Sequence, residues 1–567
     1  MKKLTFGIPE KIVPSAFCRG LNYVEKSITY PVDRIRFRQN ARGCVLEFPV
    51  QENEQFFGLG LQLKAFNLSG KKYVLRSNAD PIAATGDSHA PVPFFVSNKG
   101  YGIYIDTARY AEFDFGRVRV NESARSNSES KISVSTEELY ATSSVSDRSV
   151  ITVQIPAAQG IEIYIFEGST ITDVVAQYNI LAGGGCNPPE WGLGTIYRCC
   201  AKYSQDQVME MAQYFRDKKM PISIIGLEPG WQTKAYSCSF CWNEKLYPNP
   251  KDMVEQLYAD GYHINLWEHA FTHPTSPMYH KLLPYSGNYE VWGGLVPDFS
   301  LDEVRQIFAE HHKENVTFGL IDGFKLDECD GSDFKNGWSF PLCSEFPGGM
   351  DGEQYHSLFG TLYMQTVQSF AGNTLSEVRN AGALCASYPF VLYSDLYAHK
   401  DFIRGLATAG FSGVLWTPEL RHADSREDLL RRLQSTVFSP QCLINAWYCD
   451  VQPWLSFDCE DEVRELLEER VKLLPRLKKA FAAYQKYGIA PVRALVSDYS
   501  SDEAVYNIDD EYLLGDDLLV APMVCGEDTR KVYLPQGQWM DYWSGNSVEE
   551  GWIEVKTEKI PVYVKVK

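Results

Sequence analysis

Three carboxylates fall within four residues at the end of a mainly apolar segment. Asp327, Glu328 and Asp330 follow residues 318–326, which have the length of a strand. Because an unpaired carboxylate inside a core is costly, we interpret this segment as a buried strand whose last residue projects an acid into a cleft. In a (β/α)8 barrel, catalytic groups lie at the carboxyl ends of the strands. A strand followed by an acidic, solvated turn is the alternative, and the segment alone does not separate the two.

The elements that would position such an acid alternate along the chain. Between residues 191 and 487, short apolar strands are followed by segments with helical periodicity. Ile222–Leu227 predicts a strand that ends at Glu228, and Ser204 with Gln207 predicts a capping box at the start of a helix. Later strands are predicted near Ala383–Leu384, Val414–Trp416 and Cys442–Ile444. Such alternation over about 250–300 residues predicts a (β/α)8 barrel. The predicted strand exits carry Arg198, Glu228, Glu268, Asp327, Glu419 and Asn445.

The segments on either side of the predicted barrel have β character. Short alternating runs such as Cys44–Phe48 and Ile161–Ile165, separated by turn residues, are typical of an antiparallel sandwich. Asp516–Pro522 and Val532–Pro535 predict strands near the end of the chain. We therefore predict a multidomain α/β protein, built from an N-terminal antiparallel β-sandwich (1–182), a catalytic (β/α)8 TIM barrel (183–487) and a small C-terminal β domain (488–567).

Composition and charge exclude several classes of partner. A net charge of −19 argues against nucleic acid and anionic membrane surfaces as partners. No run of about 18 apolar residues and no export signal is recognisable, so we expect a cytoplasmic protein that does not span a membrane. Its fourteen cysteines are then expected to be reduced. Cys238 and Cys241 form a CxxC motif without a second pair at zinc-ligand spacing, so neither a metal nor a cofactor is predicted. The oligomeric state, including a homo-oligomer, stays open.

Several segments resemble glycoside hydrolase family 31, and together they lie in all three predicted domains. The plainest begins at Tyr506 and runs to Pro522, and it is similar to the segment that follows the barrel in that family. The region around Asp327 also matches, with Asp327 at the position of the family's nucleophile. Ser387-Tyr388-Pro389, shortly before Asp395, resembles the stretch before the family's acid/base, and Asp395 falls on that acid. The other matching segments are Pro91–Phe94, Trp242–Pro250 and Val532–Trp539.

The resemblance implies a retaining, exo-acting α-glycoside hydrolase whose substrate is an oligosaccharide or another glycoside. Asp327 would form a covalent glycosyl ester, while Asp395 would first protonate the leaving oxygen and then deprotonate a water molecule. We expect Lys325 or Arg198 to keep Asp327 ionised, and Asp395 to have a raised pKa. A transglycosylase shares the covalent intermediate and is an alternative. The presence of both acids argues against the other alternative, a carbohydrate-binding protein on an inactive scaffold.

The sugar preference is less defined. Three positions differ from the residues usual in that family: Ser387 replaces an Arg, Glu419 an Asp and Asn445 a His, and we expect all three to contact sugar hydroxyls. We therefore expect an α-galactoside or an unusually linked α-glucoside to be preferred over maltose, with α-xyloside or α-N-acetylgalactosaminide as alternatives. Trp267 and Trp416 would wall the sugar subsite, although a core role fits each equally well. The complete set of predicted substrate-binding residues is Arg198, Glu228, Trp267, Lys325, Asp330, Trp416, Glu419 and Asn445.

A loop of the N-terminal domain is a further candidate. The resemblance implies that the loop containing Asp80 and Asp87 reaches over the mouth of the barrel. We interpret the two acids as surface turn residues, with a position over the mouth as the alternative.

Overall fold

Two five-stranded antiparallel sheets form the N-terminal part of the computed structural model, which describes residues 1–119, 149–372 and 374–566. Their strand orders are β1-β12-β9-β8-β4 and β2-β3-β11-β10-β5, and β6 pairs with β7 beside them. Apolar side chains of both sheets, among them Phe48 and Ile163, form one buried core, so the predicted sandwich is confirmed. The strands are β1 (Lys2–Gly7), β2 (Arg36–Asn40), β3 (Gly43–Pro49), β4 (Phe56–Gly60), β5 (Lys72–Val74), β6 (Arg76–Ser77), β7 (Asp87–Ser88), β8 (Pro91–Ser97), β9 (Tyr101–Asp106), β10 (Glu112–Arg119), β11 (Ser149–Pro156) and β12 (Gly160–Glu167).

Eight parallel strands form the central sheet, in the order β18-β17-β16-β15-β14-β13-β20-β19. The sheet closes on itself, because Leu392 N donates to Leu415 O (2.8 Å) and Thr417 N donates to Leu392 O (3.0 Å). The segment that leads into β19 therefore pairs with β18, and the predicted (β/α)8 barrel is confirmed. Its strands are β13 (Thr195–Arg198), β14 (Ile222–Leu227), β15 (His263–His269), β16 (Gly323–Asp327), β17 (Ser376–Val378), β18 (Phe390–Leu392), β19 (Glu419–Leu420) and β20 (Cys442–Asn445).

Helices follow most of the barrel strands. The helix after β13 begins as predicted, because Ser204 and Gln207 form a reciprocal capping box, and its apolar face is buried through Val208, Met211, Ala212 and Phe215. None of the helices in the described ranges is long and apolar enough to span a membrane. The helices are α1 (Pro14–Phe17), α2 (Ile171–Leu181), α3 (Gln205–Asp217), α4 (Pro250–Ala259), α5 (Tyr279–Leu282), α6 (Asp302–His311), α7 (Gly352–Ala371), α8 (His399–Ala409), α9 (Arg426–Val437), α10 (Glu460–Tyr487) and α11 (Leu495–Asp498).

Three strand predictions in the barrel need correction. Ala383–Leu384 lies in the connection between β17 and β18, and the true strand β17 carries two polar residues, which hid it. Residues 318–321 form a turn, with Phe318 at φ +51°, so β16 begins only at Gly323. Of Val414–Trp416, only Trp416 forms a β-bridge, and the strand itself is β19.

A second β region follows the barrel. A six-stranded sheet has the order β21-β22-β23-β28-β25-β26, and β24 pairs with β27. The strands predicted within 516–522 and 532–535 are confirmed as β23 and the end of β24. The domain boundaries at residues 182 and 487 stay predictions. The strands are β21 (Val492–Ala494), β22 (Tyr512–Leu514), β23 (Leu518–Val520), β24 (Thr529–Leu534), β25 (Gln538–Asp541), β26 (Ser547–Val548), β27 (Gly551–Lys556) and β28 (Val562–Val566).

Candidate active site

Asp327 is the last residue of β16, at the carboxyl end of the barrel. Asp327 exposes only 7% of its surface, and each of its two carboxylate oxygens accepts a hydrogen bond. Trp267 Nε1, from the neighbouring strand β15, donates to Oδ2 at 2.7 Å, and the backbone N of Glu328 donates to Oδ1 at 3.0 Å. These two donors fix the orientation of the carboxylate, and they place Trp267 against the predicted nucleophile.

Arg379 connects three carboxylates around this point. It follows β17, and its side chain is almost completely buried. Its Nη1 atom lies 3.2 Å from Asp327 Oδ1 and 2.5 Å from Asp395 Oδ2, while its Nε atom lies 3.2 Å from Asp330 Oδ2. A planar guanidinium carries enough donors to serve several acceptors at once. Arg379 therefore brings both predicted catalytic acids and Asp330 into one cluster.

Lys325 and Arg198, either of which we expected to keep Asp327 ionised, both form ion pairs with Glu228. Lys325 Nζ is 3.2 Å from Glu228 Oε2, and the guanidinium of Arg198 forms a second ion pair with the same carboxylate. Burial acts to raise the pKa of Glu228, but Lys325 and Arg198 outweigh it and lower this pKa below its ordinary value. Lys325 and Arg198 are thus both engaged by Glu228, and the ion pair of Asp327 is formed with Arg379 instead; that Lys325 or Arg198 helps to keep Asp327 ionised stays a prediction.

Asp395 lies beyond β18 and exposes 57% of its side chain. Desolvation in the cleft acts to raise its pKa, but the positive charges of Arg379, Lys325 and Arg421 hold the pKa well below its ordinary value. The prediction of a raised pKa is therefore wrong for this arrangement. An acid paired in this way must leave Arg379 before it can donate a proton efficiently.

The N-terminal sandwich contributes one side chain to the cluster. His89, between β7 and β8, is fully buried, with Nδ1 2.6 Å from Asp330 Oδ2 and Nε2 2.8 Å from Ser394 Oγ. Burial acts to raise the pKa of Asp330, yet Arg379 and His89 lower it below its ordinary value. His89 thus connects the ends of β16 and β18. Sequence reasoning missed it, because nothing near residue 89 indicates a partner 241 residues away.

The neighbouring loop is held against the barrel. Asp87 accepts from Arg76 Nε at 2.8 Å and from Asn78 Nδ2 at 3.0 Å, so it is not the solvated turn residue that we expected. Ser77 Oγ donates to the backbone O of His356 on α7 at 3.1 Å, which fixes this loop to the barrel.

Glu419, the first residue of β19, and Asn445, the last residue of β20, form a second polar pair. Asn445 Nδ2 donates to Glu419 Oε2 at 2.9 Å, and Arg421 Nε donates to Glu419 Oε1 at 2.6 Å. Arg421 in turn donates to the backbone O of Asp395 at 3.1 Å. Both predicted sugar-binding residues are buried, with the carboxylate of Glu419 engaged on both oxygens.

Two other predicted positions lie away from the cluster. Trp416 is 1% exposed, and its Nε1 donates to the backbone O of Phe402 on α8, so its indole packs outward against the helix. This position argues against the predicted wall of a sugar subsite. Ser387 lies before the amino end of β18. The backbone O of the preceding residue, Ala386, accepts a hydrogen bond from Cys186 N. Ser387 is therefore on the opposite side of the barrel from the acids, and the expected sugar contact is wrong.

Glu328 is the third carboxylate of the sequence cluster. Its backbone has φ +57°, a left-handed conformation that is uncommon in residues other than glycine. Partial burial and then the charge of Asp327 raise the pKa of Glu328 to about 9. Its Oε1 accepts from Tyr236 Oη at 3.3 Å.

The cluster consists of carboxylates and cations. Within the described residues, no group of three or more His, Cys, Asp or Glu side chains could hold a metal ion. All fourteen cysteines are free.

Models of a known enzyme family match the chain in three parts. The glycosyl hydrolases family 31 TIM-barrel domain matches residues 186–480, which is more than half of the chain. The family 31 C-terminal domain matches residues 488–566, and the family 31 N-terminal galactose mutarotase-like domain matches residues 29–114.

Individual relatives match most of this chain and a smaller share of their own length. An α-xylosidase of Saccharolobus solfataricus is 25% identical, with 98% of this chain and 73% of that protein covered. Alpha-glucosidase 2 of Bacillus thermoamyloliquefaciens is 26% identical, with 71% and 56% covered. Among solved structures, a family 31 dextranase of Flavobacterium johnsoniae superposes with a TM-score of 0.78 at 24% identity, over 93% of this chain and 67% of that one, which shows likeness of fold. Together with the barrel whose strand ends carry the acid cluster, these matches establish that the chain belongs to glycosyl hydrolase family 31 and is a glycosidase.

Proposed function

We propose that the protein is a retaining, exo-acting α-glycoside hydrolase in which Asp327 is the nucleophile and Asp395 the acid/base. One observation carries the proposal: a single nitrogen, Arg379 Nη1, lies 3.2 Å from an oxygen of Asp327 and 2.5 Å from an oxygen of Asp395. The two oxygens cannot be farther apart than the sum of these distances. Retaining glycosidases hold their carboxyl groups about 5–5.5 Å apart, whereas inverting enzymes need about 6.5–9.5 Å to admit a water molecule.

The proposed reaction has two steps. Asp327 attacks the anomeric carbon while the bond to the leaving oxygen breaks and Asp395 gives that oxygen its proton, which leaves a covalent glycosyl ester. Asp395 then takes a proton from water, the water oxygen attacks the anomeric carbon, and the ester bond returns its electron pair to Asp327. The hydrogen bonds from Trp267 Nε1 and Glu328 N keep the carboxylate of Asp327 aimed through both steps.

The stereochemistry of the first product tests this mechanism directly. Two displacements at the anomeric carbon give net retention, so the released sugar should appear first as the α anomer and only later equilibrate. Proton NMR of an aryl α-glycoside digest, recorded within the first minutes, distinguishes the anomers. A β anomer as the first product would contradict the proposal.

Replacing Asp395 with alanine should affect substrates according to their leaving groups. Removing a general acid/base costs about 10²–10⁴-fold, and the first step of good leaving groups needs little protonation. We therefore expect kcat/KM for a disaccharide to fall by about this range, and kcat/KM for an activated aryl α-glycoside to fall much less. Sodium azide should restore turnover of the aryl substrate by replacing the base-assisted water. Equal losses on both substrates, together with no effect of azide, would exclude this role for Asp395.

The proposed sugar preference is supported by the second polar pair. Because both oxygens of Glu419 are engaged by Arg421 and Asn445, we propose an α-galactoside or an unusually linked α-glucoside as the substrate. An α-xyloside is the second candidate, favoured by the name of the Saccharolobus relative.

Maltose is expected to be a poor substrate. Buried polar groups that a substrate leaves unpaired lower kcat/KM by as much as about 10⁴-fold. Initial rates with aryl α-glycosides of glucose, galactose, xylose and N-acetylgalactosamine, compared with maltose, measure the preference. A kcat/KM for maltose above those for the aryl α-galactoside and α-xyloside would contradict this expectation.

A further inference from the structure

A buried tyrosine lies in the interior of the barrel, below the acid cluster. Tyr393 directly follows β18, two residues before Asp395, and is 1% exposed. It packs with Ile196, Ile224 and Leu443, which the register of β13, β14 and β20 places side by side. Because β13 and β14 lie across the closed barrel from β18, the ring must lie inside the barrel. Close packing on this side fixes the direction in which its hydroxyl group points.

Two cations of the site flank the ring of Tyr393. Lys325 Nζ lies 5.0 Å from the ring centroid, and Arg379 Cζ lies 5.4 Å from it. The negative face of an aromatic ring attracts such cations, and the attraction is stronger where water is excluded. Since Arg379 also contacts Asp327 and Asp395, the ring is held beside both predicted catalytic acids.

The hydroxyl group of Tyr393 has no hydrogen-bond partner among the residues that the structure describes. Most buried polar side-chain atoms have a partner, so this exception calls for an explanation. Burial, and after it the charge of Asp327, raise the pKa of Tyr393 well above its ordinary value, against an opposing effect of Arg379. The hydroxyl therefore keeps its proton and is a neutral donor near Asp327. A donor that forms no bond in the resting protein suits an event in which the charge on Asp327 changes.

We propose that Tyr393 is a positioning residue for the second step of the reaction, in which its O–H dipole stabilises the negative charge that returns to Asp327 as the glycosyl ester is hydrolysed. The inference rests on the proposed function, because it requires that ester. The water oxygen bonds to the anomeric carbon, its proton goes to Asp395, and the ester C–O bond returns its electron pair to Asp327. The proton of Tyr393 stays on its own oxygen throughout.

The hydroxyl should affect the two steps differently. The carboxylate of Asp327 carries a full charge in the free protein, a partial charge in both transition states and almost none in the ester. An O–H dipole beside it therefore stabilises the free protein most and the ester least. It lowers the barrier that leads from the ester to the second transition state, and it gives no help to the first attack.

A trapped ester isolates the second step. An activated 2-fluoro or 5-fluoro α-glycoside should label Asp327, and after removal of excess reagent the return of activity reports hydrolysis of the ester. Tyr393→Phe keeps the ring and removes only the hydroxyl, so activity should return about 10-fold more slowly. This is less than the about 10²–10³-fold contribution of a donor in short contact with a developing oxyanion. The rate constant for labelling, which reports the first step, should be unchanged or higher.

Steady-state kinetics give a second readout of Tyr393→Phe. On an aryl α-glycoside with a good leaving group, slower hydrolysis of the ester makes the ester accumulate, so kcat and KM should fall together while kcat/KM is retained. The Tm should be unchanged or higher, because the variant no longer buries a donor without a partner. A residue that only supports the fold would give a lower Tm and no such separation of kcat from kcat/KM.

Tyr73→Phe is the matched control. Tyr73 lies on β5 of the N-terminal sandwich and is fully buried, and its hydroxyl group also has no partner among the described residues. This substitution removes the same group far from the acids. It should change the Tm in the same direction as Tyr393→Phe and leave labelling and the return of activity at their wild-type rates.

Each outcome has a definite meaning. Equal rates of return in the wild type and Tyr393→Phe would overturn the inference. Equal slowing of labelling and of return would overturn it as well, because the hydroxyl would then contact the sugar in both steps. A wild type that takes up no label, or takes it up at a carboxylate other than Asp327, would overturn the proposed function itself.

Discussion

Asp327→Ala is expected to lower kcat/KM by about 10⁴-fold or more on every glycoside that the wild type cleaves. The reason is that the substitution removes the atom that forms the covalent bond, so no tuning of the remaining groups can restore the two-step route. The loss should be as large for activated aryl glycosides as for disaccharides, in contrast to the effect of Asp395→Ala. Initial rates on both substrate types measure the difference.

The fold should survive this substitution. Trp267 Nε1 loses its acceptor, and one unsatisfied buried donor costs about 1–3 kcal/mol. Arg379 keeps both Asp330 and Asp395, so the cluster as a whole remains paired. The Tm of Asp327→Ala should therefore fall by only a few degrees.

Asp322 provides the matched control. It precedes β16 at the amino end and pairs with His263, with a 2.9 Å separation between Oδ2 and Nδ1. A partly exposed pair of this kind contributes about 0–1 kcal/mol, so Asp322→Ala should retain wild-type kinetics. An activated 2-fluoro α-glycoside should label the wild type at Asp327, as peptide mapping by mass spectrometry would report. A label on Glu328 or on another carboxylate would show that the nucleophile is misassigned.

The barrel was predictable because parallel strands that are buried on both faces have nearly continuous apolar sequences. Ile222–Leu227 has the predicted bounds, and the capping box at Ser204 fixes the start of the helix before that strand. The acid cluster at Asp327 was readable for a related reason, since charge directly after an apolar strand needs a cleft to hold it.

Other parts of the site have no such recognisable sequence pattern. The short strand β17 has the sequence Ser-Glu-Val, and both of its polar side chains have partners on other barrel strands: Phe324 N donates to Ser376 Oγ, and Asn265 Nδ2 donates to Glu377 Oε2. No apolar periodicity marks it, and Arg379 immediately after it was missed with it. The role of such a side chain depends on its contact partners, and these partners lie far from it in the sequence.

The wrong expectation for Ser387 and the choice that stayed open between two roles for Trp416 have a different origin. Both follow from not knowing where a strand begins and which way its side chains alternate. Ser387 lies three residues before β18 begins at Phe390, which assigns it to the amino end of the barrel. Trp416 forms a β-bridge with Leu392, but its indole points toward Phe402 on α8. A shift of one residue in register exchanges the inside and the outside of a strand.

Arg379 is expected to have the largest combined effect on stability and activity. Asp330 is fully buried, and without the guanidinium it retains only the contact to His89. Removing one partner from a buried charge network costs about 3–5 kcal/mol, because the charge of Asp330 would remain buried away from water with His89 as its single partner. Arg379→Ala should therefore lower the Tm substantially, while Arg476→Ala, which removes a half-exposed arginine on α10, should not.

The stability loss should depend on pH with a definite sign. In the wild type the pKa of Asp330 is below its ordinary value, so the stability it contributes is present above about pH 4 and is lost only in more acidic solution. In Arg379→Ala, burial should raise that pKa, so the folded protein binds more protons than the unfolded chain and its stability falls as the pH rises. The Tm difference between variant and wild type should consequently be larger at pH 8 than at pH 5. An equal difference at both values would show that Asp330 is not the group left unpaired.

Activity should respond to Arg379 through both predicted catalytic acids. Arg379 is the nearest of the three cations that hold the pKa of Asp395 down, so its removal should raise that pKa. The protonated acid then persists to higher pH, so the alkaline limb of the pH profile of kcat/KM on a disaccharide should shift to higher pH, even though the maximum of kcat/KM falls.

Arg379→Lys keeps the positive charge, but an ammonium group lacks the planar set of donors that contacts three carboxylates at once. This variant should therefore recover more of the lost Tm than of the lost kcat/KM. Millimolar guanidinium should partly rescue Arg379→Ala, because the free ion fits the vacated position between the acids. An unmoved alkaline limb, with no rescue by guanidinium, would mean that Arg379 acts on the fold alone and that the proton donor is a group other than Asp395.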